Sequence, residues 1–204
     1  MNIIVKTSSG HVIVRPDTTW EKDNEDFYPP EFVEELTFSP IFFARILKPG
    51  RSVGRKFARR YYDAVGFGAL LYPENLVGDS QEGFANASCL DHTSFLPAPL
   101  FPTSAVPQTG ESESQPAERL KENLFRIFKD GREIFSSAAA SLNMIEDALA
   151  EATRFCYIRT GDIVAVELDA RRPLVSRPAD GTSATVRITG SFGQDTPLDF
   201  RIVF

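Results

Sequence analysis

The chain has 204 residues, 42% hydrophobic and 25% charged, a composition typical of a globular protein with one sizeable core. Its 28 acidic and 22 basic residues give a formal charge of -6, which argues against a nucleic-acid partner because phosphate contacts require a basic surface. Cys89 and Cys156 are only two cysteines with no short spacing, so nothing indicates a disulfide scaffold or a zinc knuckle. The sequence has no long apolar run and no signal-peptide pattern, so we expect a cytoplasmic protein without a membrane partner.

The N-terminal segment predicts two short strands. Residues 1–6 and 12–15 are apolar and are joined by a polar turn at residues 7–10. His11 follows the turn directly, and we interpret it as an ordinary surface or edge histidine.

The segment from 38 to 76 predicts the order strand, helix, strand. Residues 38–47 and 67–72 are apolar runs of a length suited to buried strands. Between them, Ser52 is a candidate N-cap, and an apolar stripe at fourfold spacing predicts an amphipathic helix that Gly66 ends; the stripe consists of Val53, Phe57, Tyr61 and Val65. The basic residues between positions 51 and 60 are interpreted as the solvated face of this helix rather than a docking patch.

The C-terminal half predicts a hairpin, a helix and closing strands. Residues 124–129 and 133–136 flank Asp130-Gly131, a pair that suits a tight turn. Leu142, Ile145, Leu149, Ala152 and Cys156 recur at helical spacing. Strands are expected in 157–166, 184–189 and 198–204. The polar residues 103–118 are expected to form a mobile loop.

The order of these motifs resembles the fumarylacetoacetate hydrolase (FAH) family. The matching residues are Arg-Pro-Asp-Thr at 15–18, Tyr-Tyr-Asp at 61–63 before Gly66 and Gly68, Asp130-Gly131, and Gly161-Asp162. The resemblance implies a mostly β, α+β fold with a mixed, partly rolled sheet and two principal helices. It also implies one FAH-like domain over residues 1–204.

Active relatives use Mg²⁺ or Mn²⁺, and the resemblance places their metal-binding carboxylates at Ser39, Ile41 and Leu70. Isoleucine and leucine carry no lone pair and serine offers one neutral oxygen, whereas these cations need several oxygen donors with negative charge. We therefore expect no metal and no cofactor, with Ile41 and Leu70 in the core. The arginine of the family's site matches Glu74, and a threonine that contacts substrate matches Leu168.

Two groups of residues are weaker candidates for a rebuilt site. Cys89, Asp91 and His92 place a thiol, a carboxylate and a base within four positions, but adjacency in a loop does not align a nucleophile with its base. Arg171 and Arg172 could clamp an anion. Ordinary loop residues are the favoured interpretation of both groups.

Three functions of different classes stay open. The first is a non-catalytic scaffold for binding or subunit pairing, with a homodimer or an active paralogue as the partner. The second is the family's activity on a 2-oxo or β-diketone acid, which is hydrolysis, decarboxylation or isomerisation. The third is a new metal-free enzyme that uses Glu74, His92 or Arg171. The ligand and the partner are not specified by the sequence.

Overall fold

The protein is described by a computed structural model that covers residues 1–78, 80–108 and 123–204. The strands are β1 (Asn2–Lys6), β2 (Val12–Pro16), β3 (Trp20–Glu21), β4 (Glu35–Arg45), β5 (Ala64–Pro73), β6 (Ser94–Phe95), β7 (Phe101–Pro102), β8 (Phe125–Lys129), β9 (Arg132–Ser137), β10 (Ile163–Glu167), β11 (Arg172–Ser176), β12 (Thr185–Phe192) and β13 (Asp195–Val203). The helices are α1 (Arg55–Ala58), α2 (Glu74–Val77), α3 (Gln81–Ala87) and α4 (Leu142–Phe155).

Two sheets organise the fold. The larger one has the strand order β2-β1-β10-β4-β5-β6-β3, with β11 also paired to β4 and β7 to β5, and it curls into a nearly closed roll. It is mixed, because β1 and β10 run parallel while β4 and β5 run antiparallel. The smaller sheet has the order β13-β12-β8-β9. The predicted fold class, a mostly β α+β protein with a mixed, partly rolled sheet, is confirmed.

The hairpin and the long helix lie where the sequence predicts them. β8 and β9 pair around Asp130 and Gly131, whose positive φ angles of 49° and 80° suit the tight turn. Helix α4 buries Leu142, Ile145 and Leu149, the predicted apolar stripe. Strands β1, β2, β12 and β13 also lie in the predicted regions.

The predicted helix between Ser52 and Val65 is mostly wrong. Only α1 is α-helical, and a 3₁₀ turn at Arg59–Tyr61 follows it. Ser52 has a positive φ of 51° and Gly54 occupies the N-cap position, so helix geometry cannot begin at Ser52. Val65 lies in β5, so the last residues of the predicted helix belong to the sheet instead. Conversely, α3 forms in a segment for which no helix was predicted.

Close backbone approach explains Gly66 and Gly68. A Cβ atom on Gly68 would lie 2.1 Å from the carbonyl oxygen of Phe95, on the neighbouring strand β6. A Cβ on Gly66 would lie 2.4 Å from the ring of Phe43. The two glycines therefore let β5 pass between β6 and the side chains of β4.

The core forms on both faces of β4 and β5. The larger cluster contains Phe38, Phe42 and Phe67 and packs against the second sheet and α4. The opposite face carries a smaller cluster, here called the inner cluster: Ile3, Val5, Ile41, Phe43, Leu70, Tyr72, Val77, Ala87, Leu96, Ile163 and Ala165. Both faces of these strands are therefore buried.

The predicted mobile loop, residues 103–118, lies partly outside the described residues, which stop at 108 and resume at 123. Residues 103–105 form a 3₁₀ turn and Val106 is buried. Pro107 and Gln108 accept backbone hydrogen bonds from Leu142 and Asn143 at the start of α4. This first part is therefore attached to the core. Within the described ranges, every helix is too short or too polar to cross a membrane.

Candidate functional site

Strands β4 and β5 bring the family-matching positions side by side. Ser39 lies directly opposite Leu70, and Ile41 lies opposite Gly68. The side chains of Ser39, Ile41 and Leu70 are all 0% exposed, and the latter two belong to the inner cluster. The prediction that Ile41 and Leu70 are core residues is confirmed.

Ser39 is a buried polar group without a partner. Its Oγ atom makes no hydrogen bond within the described part of the chain. A buried hydroxyl in this state costs free energy, about 1–3 kcal/mol. Ser39 is therefore a buried polar side chain that no hydrogen bond within the described ranges explains.

Glu167 closes the same face from the neighbouring strand. It ends β10 opposite Ile41 and is 7% exposed. Its Oε1 accepts from the Tyr72 hydroxyl at 3.0 Å, and its Oε2 accepts from the Ser8 backbone N–H at 2.9 Å and the Ser8 hydroxyl at 3.3 Å. These donors satisfy the hydrogen-bonding capacity of the carboxylate inside the protein, while its negative charge stays at the edge of the cavity that Glu167 lines.

A buried arginine lies beneath Tyr72. Arg15 is 0% exposed, and its Nη2 donates to the Leu71 carbonyl at 3.2 Å and to Thr93 Oγ1 at 2.6 Å. Its guanidinium carbon lies 4.8 Å from the Tyr72 ring centroid, while Nε and Nη1 have no partner among the described residues. Burial lowers the pKa of Arg15, and the nearby Tyr72 and Glu167 act in the opposite direction.

Arg15, Tyr72 and Glu167 therefore form one buried network. Tyr72 lies between the positive guanidinium of Arg15, which faces its ring, and the negative carboxylate of Glu167, which accepts from its hydroxyl. Burial also raises the pKa of Tyr72, so the phenol stays protonated and donates to Glu167. The positive charge of Arg15 lies on the face where the FAH resemblance places a metal ion.

An ion pair forms on the other side of this network, next to Tyr72. Glu74, at the start of α2, accepts from Thr37 Oγ1 at 2.8 Å and from Arg171 Nη1 at 3.0 Å. The Arg171 guanidinium lies 5.6 Å from the ring centroids of both Tyr72 and Phe84. The position that matches an arginine in the family thus carries Glu74, and the cation comes instead from the loop between β10 and β11.

An open cavity of about 710 Å³ is lined in part by Ser8, Glu167 and Arg171. Its walls come from the β1–β2 turn, the connection of α2 to α3 with α3 itself, and the end of β10 with the following loop. The polar lining includes Ser8, Ser9, His11, Gln81, Glu167 and Arg171, and the apolar lining includes Ile13, Val77 and Phe84. The cavity combines a cation and several hydrogen-bond donors with an aromatic wall.

The other predicted candidates do not join this cavity. Cys89 is exposed, its backbone N–H donates to the Asn86 carbonyl at 3.1 Å, and its thiol makes no hydrogen bond within the described ranges. His92, with a positive φ of 57°, places Nδ1 3.4 Å from Glu21 Oε2, and it lines a separate cavity of about 410 Å³ together with Asp91. Cys89, His92 and Asp91 therefore do not form a catalytic arrangement of thiol, base and orienting acid.

Arg172 and Leu168 also lie elsewhere. Arg172 pairs with Asp169 and donates to the Ile134 carbonyl at 3.2 Å, and it lines a third cavity of about 610 Å³. Leu168 packs against the larger core cluster, and its N–H donates to the Pro40 carbonyl at 2.8 Å. Arg171 and Arg172 are thus separated rather than aimed at one anion, and Arg171 is bound in an ion pair rather than solvated as a loop residue.

Sequence reasoning missed the roles of Arg15, Tyr72 and Ser8. The sequence did contain one indication, the alternation of side chains along a strand. Arg15 is two residues from Ile13 in β2, so both side chains point to the same face of the strand. Nothing in the local pattern indicated that Arg15 would meet Tyr72, which follows far along the chain.

The chain was compared with known protein families, curated sequences and solved structures, and only the solved structures match it. No family model and no curated protein sequence matches the chain. A FAH family protein from Yersinia pestis CO92 is 13% identical, with a TM-score of 0.73 over 98% of this chain and 91% of that one. The chain has the fumarylacetoacetate hydrolase fold.

Two enzymes illustrate the range of this FAH fold. Fumarylpyruvate hydrolase from Pseudomonas aeruginosa, in complex with Mn²⁺ and pyruvate, is 13% identical, with a TM-score of 0.74 over 99% of this chain and 89% of that one. The 5-carboxymethyl-2-hydroxymuconate delta-isomerase from Mycobacterium smegmatis is 15% identical, with a TM-score of 0.68 over 98% and 77%. Solved structures with this fold therefore include both a hydrolase and an isomerase.

The residues present do not fit the divalent cation that active FAH relatives use. Ser39 offers one neutral oxygen, while Ile41 and Leu70 offer none. Glu74 and Glu167 are committed to internal donors. Over the ranges that the structure describes, no group of three His, Cys, Asp or Glu side chains converges as a metal site would require.

Proposed function

We propose that the protein is a non-catalytic, metal-independent FAH-fold protein that binds a small carboxylate ligand in the 710 Å³ cavity. One observation carries the proposal: Ile41 and Leu70 are 0% exposed and fill the face where a metal-binding carboxylate set would lie. Family chemistry uses the cation to stabilise an enolate, and hydrocarbon side chains supply no substitute for it.

The chemistry of the cavity supports a carboxylate ligand. Arg171 uses Nη1 for Glu74, which leaves Nε and Nη2 free of hydrogen bonds within the described ranges, and the side chain is 29% exposed. Guanidinium groups bind carboxylates well, because their donors match the two oxygens. Glu167 also lines the cavity, where its carboxylate accepts hydrogen bonds from Tyr72 and Ser8.

The size and the apolar wall of the cavity support a small organic acid. The volume is within the range of about 300–1,000 Å³ that is usual for small-molecule sites. Ile13, Val77 and Phe84 provide an apolar surface against which a short carbon chain would pack. Linear or unsaturated oxo acids combine these two properties.

The alternative function is hydrolysis, decarboxylation or isomerisation of a 2-oxo or β-diketone acid through a rebuilt site. The ion pair of Glu74 with Arg171 at 3.0 Å favours it, because it holds an acid next to Arg171, an anion-binding group that lines the cavity. Turnover in the presence of EDTA would support this alternative against the binding function.

A ligand panel tests the proposal. Thermal unfolding is measured with millimolar C3 to C7 mono- and dicarboxylates, including 2-oxo acids, with EDTA or with Mg²⁺. We expect at least one acid to raise Tm equally in both conditions, because a ligand that binds the folded state stabilises it. Arg171→Met should remove the shift and Arg172→Met should keep it. A shift that requires Mg²⁺, or no shift with any acid, would contradict the proposal.

We also propose that the protein pairs with a second copy of itself or with an active paralogue, as the resemblance implies. Light scattering after size-exclusion chromatography distinguishes a dimer of this chain from a monomer. Co-expression with an FAH-fold enzyme of the same source tests the second arrangement.

A further inference from the structure

Two segments far apart in sequence form one continuous surface. Residues 45–61 and 153–160 are joined by backbone hydrogen bonds between Gly50 and Ile158, at 3.0 and 2.9 Å, and from Ser52 to the Thr153 carbonyl at 2.8 Å. The Thr160 hydroxyl donates to the Leu47 carbonyl at 3.1 Å. We call the exposed face of these segments the basic-aromatic patch.

The patch concentrates positive charge on an acidic protein. The two segments hold nine of the 22 lysine and arginine residues and none of the 28 acidic residues. Arg55 pairs with Asp147, and Arg59 donates to the Tyr62 carbonyl at 2.8 Å. Seven exposed cations have no ion-pair partner within the described ranges: Arg45, Lys48, Arg51, Lys56, Arg60, Arg154 and Arg159.

Large apolar side chains protrude among these cations. Phe57, Phe155 and Tyr157 are 42%, 71% and 52% exposed, and Leu47 is 37% exposed. Cations cover ring faces: Lys56 and Arg60 lie 4.9 and 5.3 Å from the Phe57 centroid, and Arg154 lies 5.9 Å from that of Phe155. Exposed aromatic residues that are grouped in this way mark an interaction surface.

We propose that the basic-aromatic patch binds the surface of an anionic lipid bilayer. Its positive charge complements acidic headgroups, and its protruding phenylalanine and tyrosine side chains suit the boundary between headgroups and acyl chains. This inference goes beyond the proposed ligand-binding function and is independent of it, and it replaces the expectations from the sequence of a solvated basic face and of no membrane partner.

Other occupants fit the patch less well. A two-fold contact with a second copy would oppose two surfaces that each hold nine basic residues and no acidic residue. A nucleic acid would complement the cations, but it offers no apolar environment to the exposed Leu47 side chain. The three cavities described above are not lined by these segments, so a peptide would find none of those grooves here.

Vesicle sedimentation tests the inference with the intact protein. We expect binding to phosphatidylcholine vesicles that contain about one-third phosphatidylserine, none to pure phosphatidylcholine, and release at high salt. Arg60→Gln with Arg154→Gln removes two unpaired charges and should lower the partition coefficient roughly 25-fold. Phe155→Ala should lower it without changing the salt dependence.

A matched control separates the patch from net charge. Lys22→Gln with Arg132→Gln removes two exposed charges elsewhere and should leave binding nearly unchanged, and circular dichroism checks that each variant folds. No binding to acidic vesicles, equal losses in the two double variants, or binding of an oligonucleotide or an acidic protein in preference to vesicles would each overturn the inference.

Discussion

The two faces of the β4–β5 strand pair differ in how they are stabilised. One face carries Phe38, Phe42 and Phe67 in a purely apolar core, where Phe67 packs 4.3 Å from Phe192 and 4.8 Å from Phe125 between ring centroids. The other face mixes Ile41 and Leu70 with Ser39, Tyr72 and the charges of Arg15 and Glu167. The apolar face is held by packing alone, whereas the mixed face also contains buried polar and charged groups that must satisfy one another.

The largest effect is expected on the apolar face. Phe67→Ala removes a ring that is 0% exposed and leaves a cavity among four other rings, so the free energy of unfolding should fall by about 4 kcal/mol. Urea unfolding followed by circular dichroism measures it. Phe32→Ala, at a side chain 53% exposed, is the control and should change stability by less than about 0.5 kcal/mol. Similar losses in both variants would remove the contrast between core and surface.

Breaking the charge network on the mixed face should have the next largest effect. Arg15→Met leaves Glu167 buried without its balancing cation and should cost about 3 kcal/mol in the free energy of unfolding. Adding Glu167→Gln removes the orphaned charge, so the double variant should lose less than the sum of the single losses. Additive losses in this double-mutant cycle would show that the two charges do not interact.

Tyr72 should give the mixed face a pH dependence. Burial raises the pKa of Tyr72 and of Tyr62 above the ordinary value of 10.0, so their contribution to stability is complete below pH 10.0 and is lost as the pH rises further. Tyr72→Phe also loses the hydrogen bond to Glu167, which should cost about 1–3 kcal/mol at neutral pH. Unfolding at a series of pH values from neutral to strongly alkaline should therefore show a shallower alkaline decline for this variant. An unchanged slope would assign the decline to other groups.

Ser39 should give the smallest effect, with the opposite sign. Ser39→Ala removes a buried hydroxyl without a partner and should stabilise the protein by up to about 1 kcal/mol. Ser94→Ala is the matched control, because that buried hydroxyl lies 2.8 Å from Thr19 Oγ1 and its loss should destabilise the protein. A destabilising effect of Ser39→Ala would show that its hydroxyl has a partner after all.

Local signals in the sequence predicted much of the scaffold. Asp130-Gly131 predicted the β8–β9 turn and the apolar stripe predicted helix α4, because turn geometry and helical period are set by nearby residues. The fourfold spacing from Val53 to Val65 failed because pairing with β4 takes Val65 into the sheet. Tertiary pairing overrode a local pattern there.

The candidate site was predicted only in part. The burial of Ile41 and Leu70 followed from residue type on a strand. The network of Arg15, Tyr72 and Glu167 did not, because Tyr72 and Glu167 are 95 residues apart and meet only through the sheet. Arg171 was recognised as a candidate, but its partner Glu74 lies 97 residues earlier, so only the fold reveals the ion pair.

The central claim is that hydrocarbon has replaced a metal site, and direct titration tests it best. Calorimetry with Mn²⁺ and Mg²⁺ on metal-free protein, with crystals soaked in Mn²⁺ for anomalous scattering, measures both stoichiometry and position. The account predicts no stoichiometric binding at millimolar concentration and no anomalous peak beside Ser39 and Leu70. One tightly bound ion per chain at that position would contradict it.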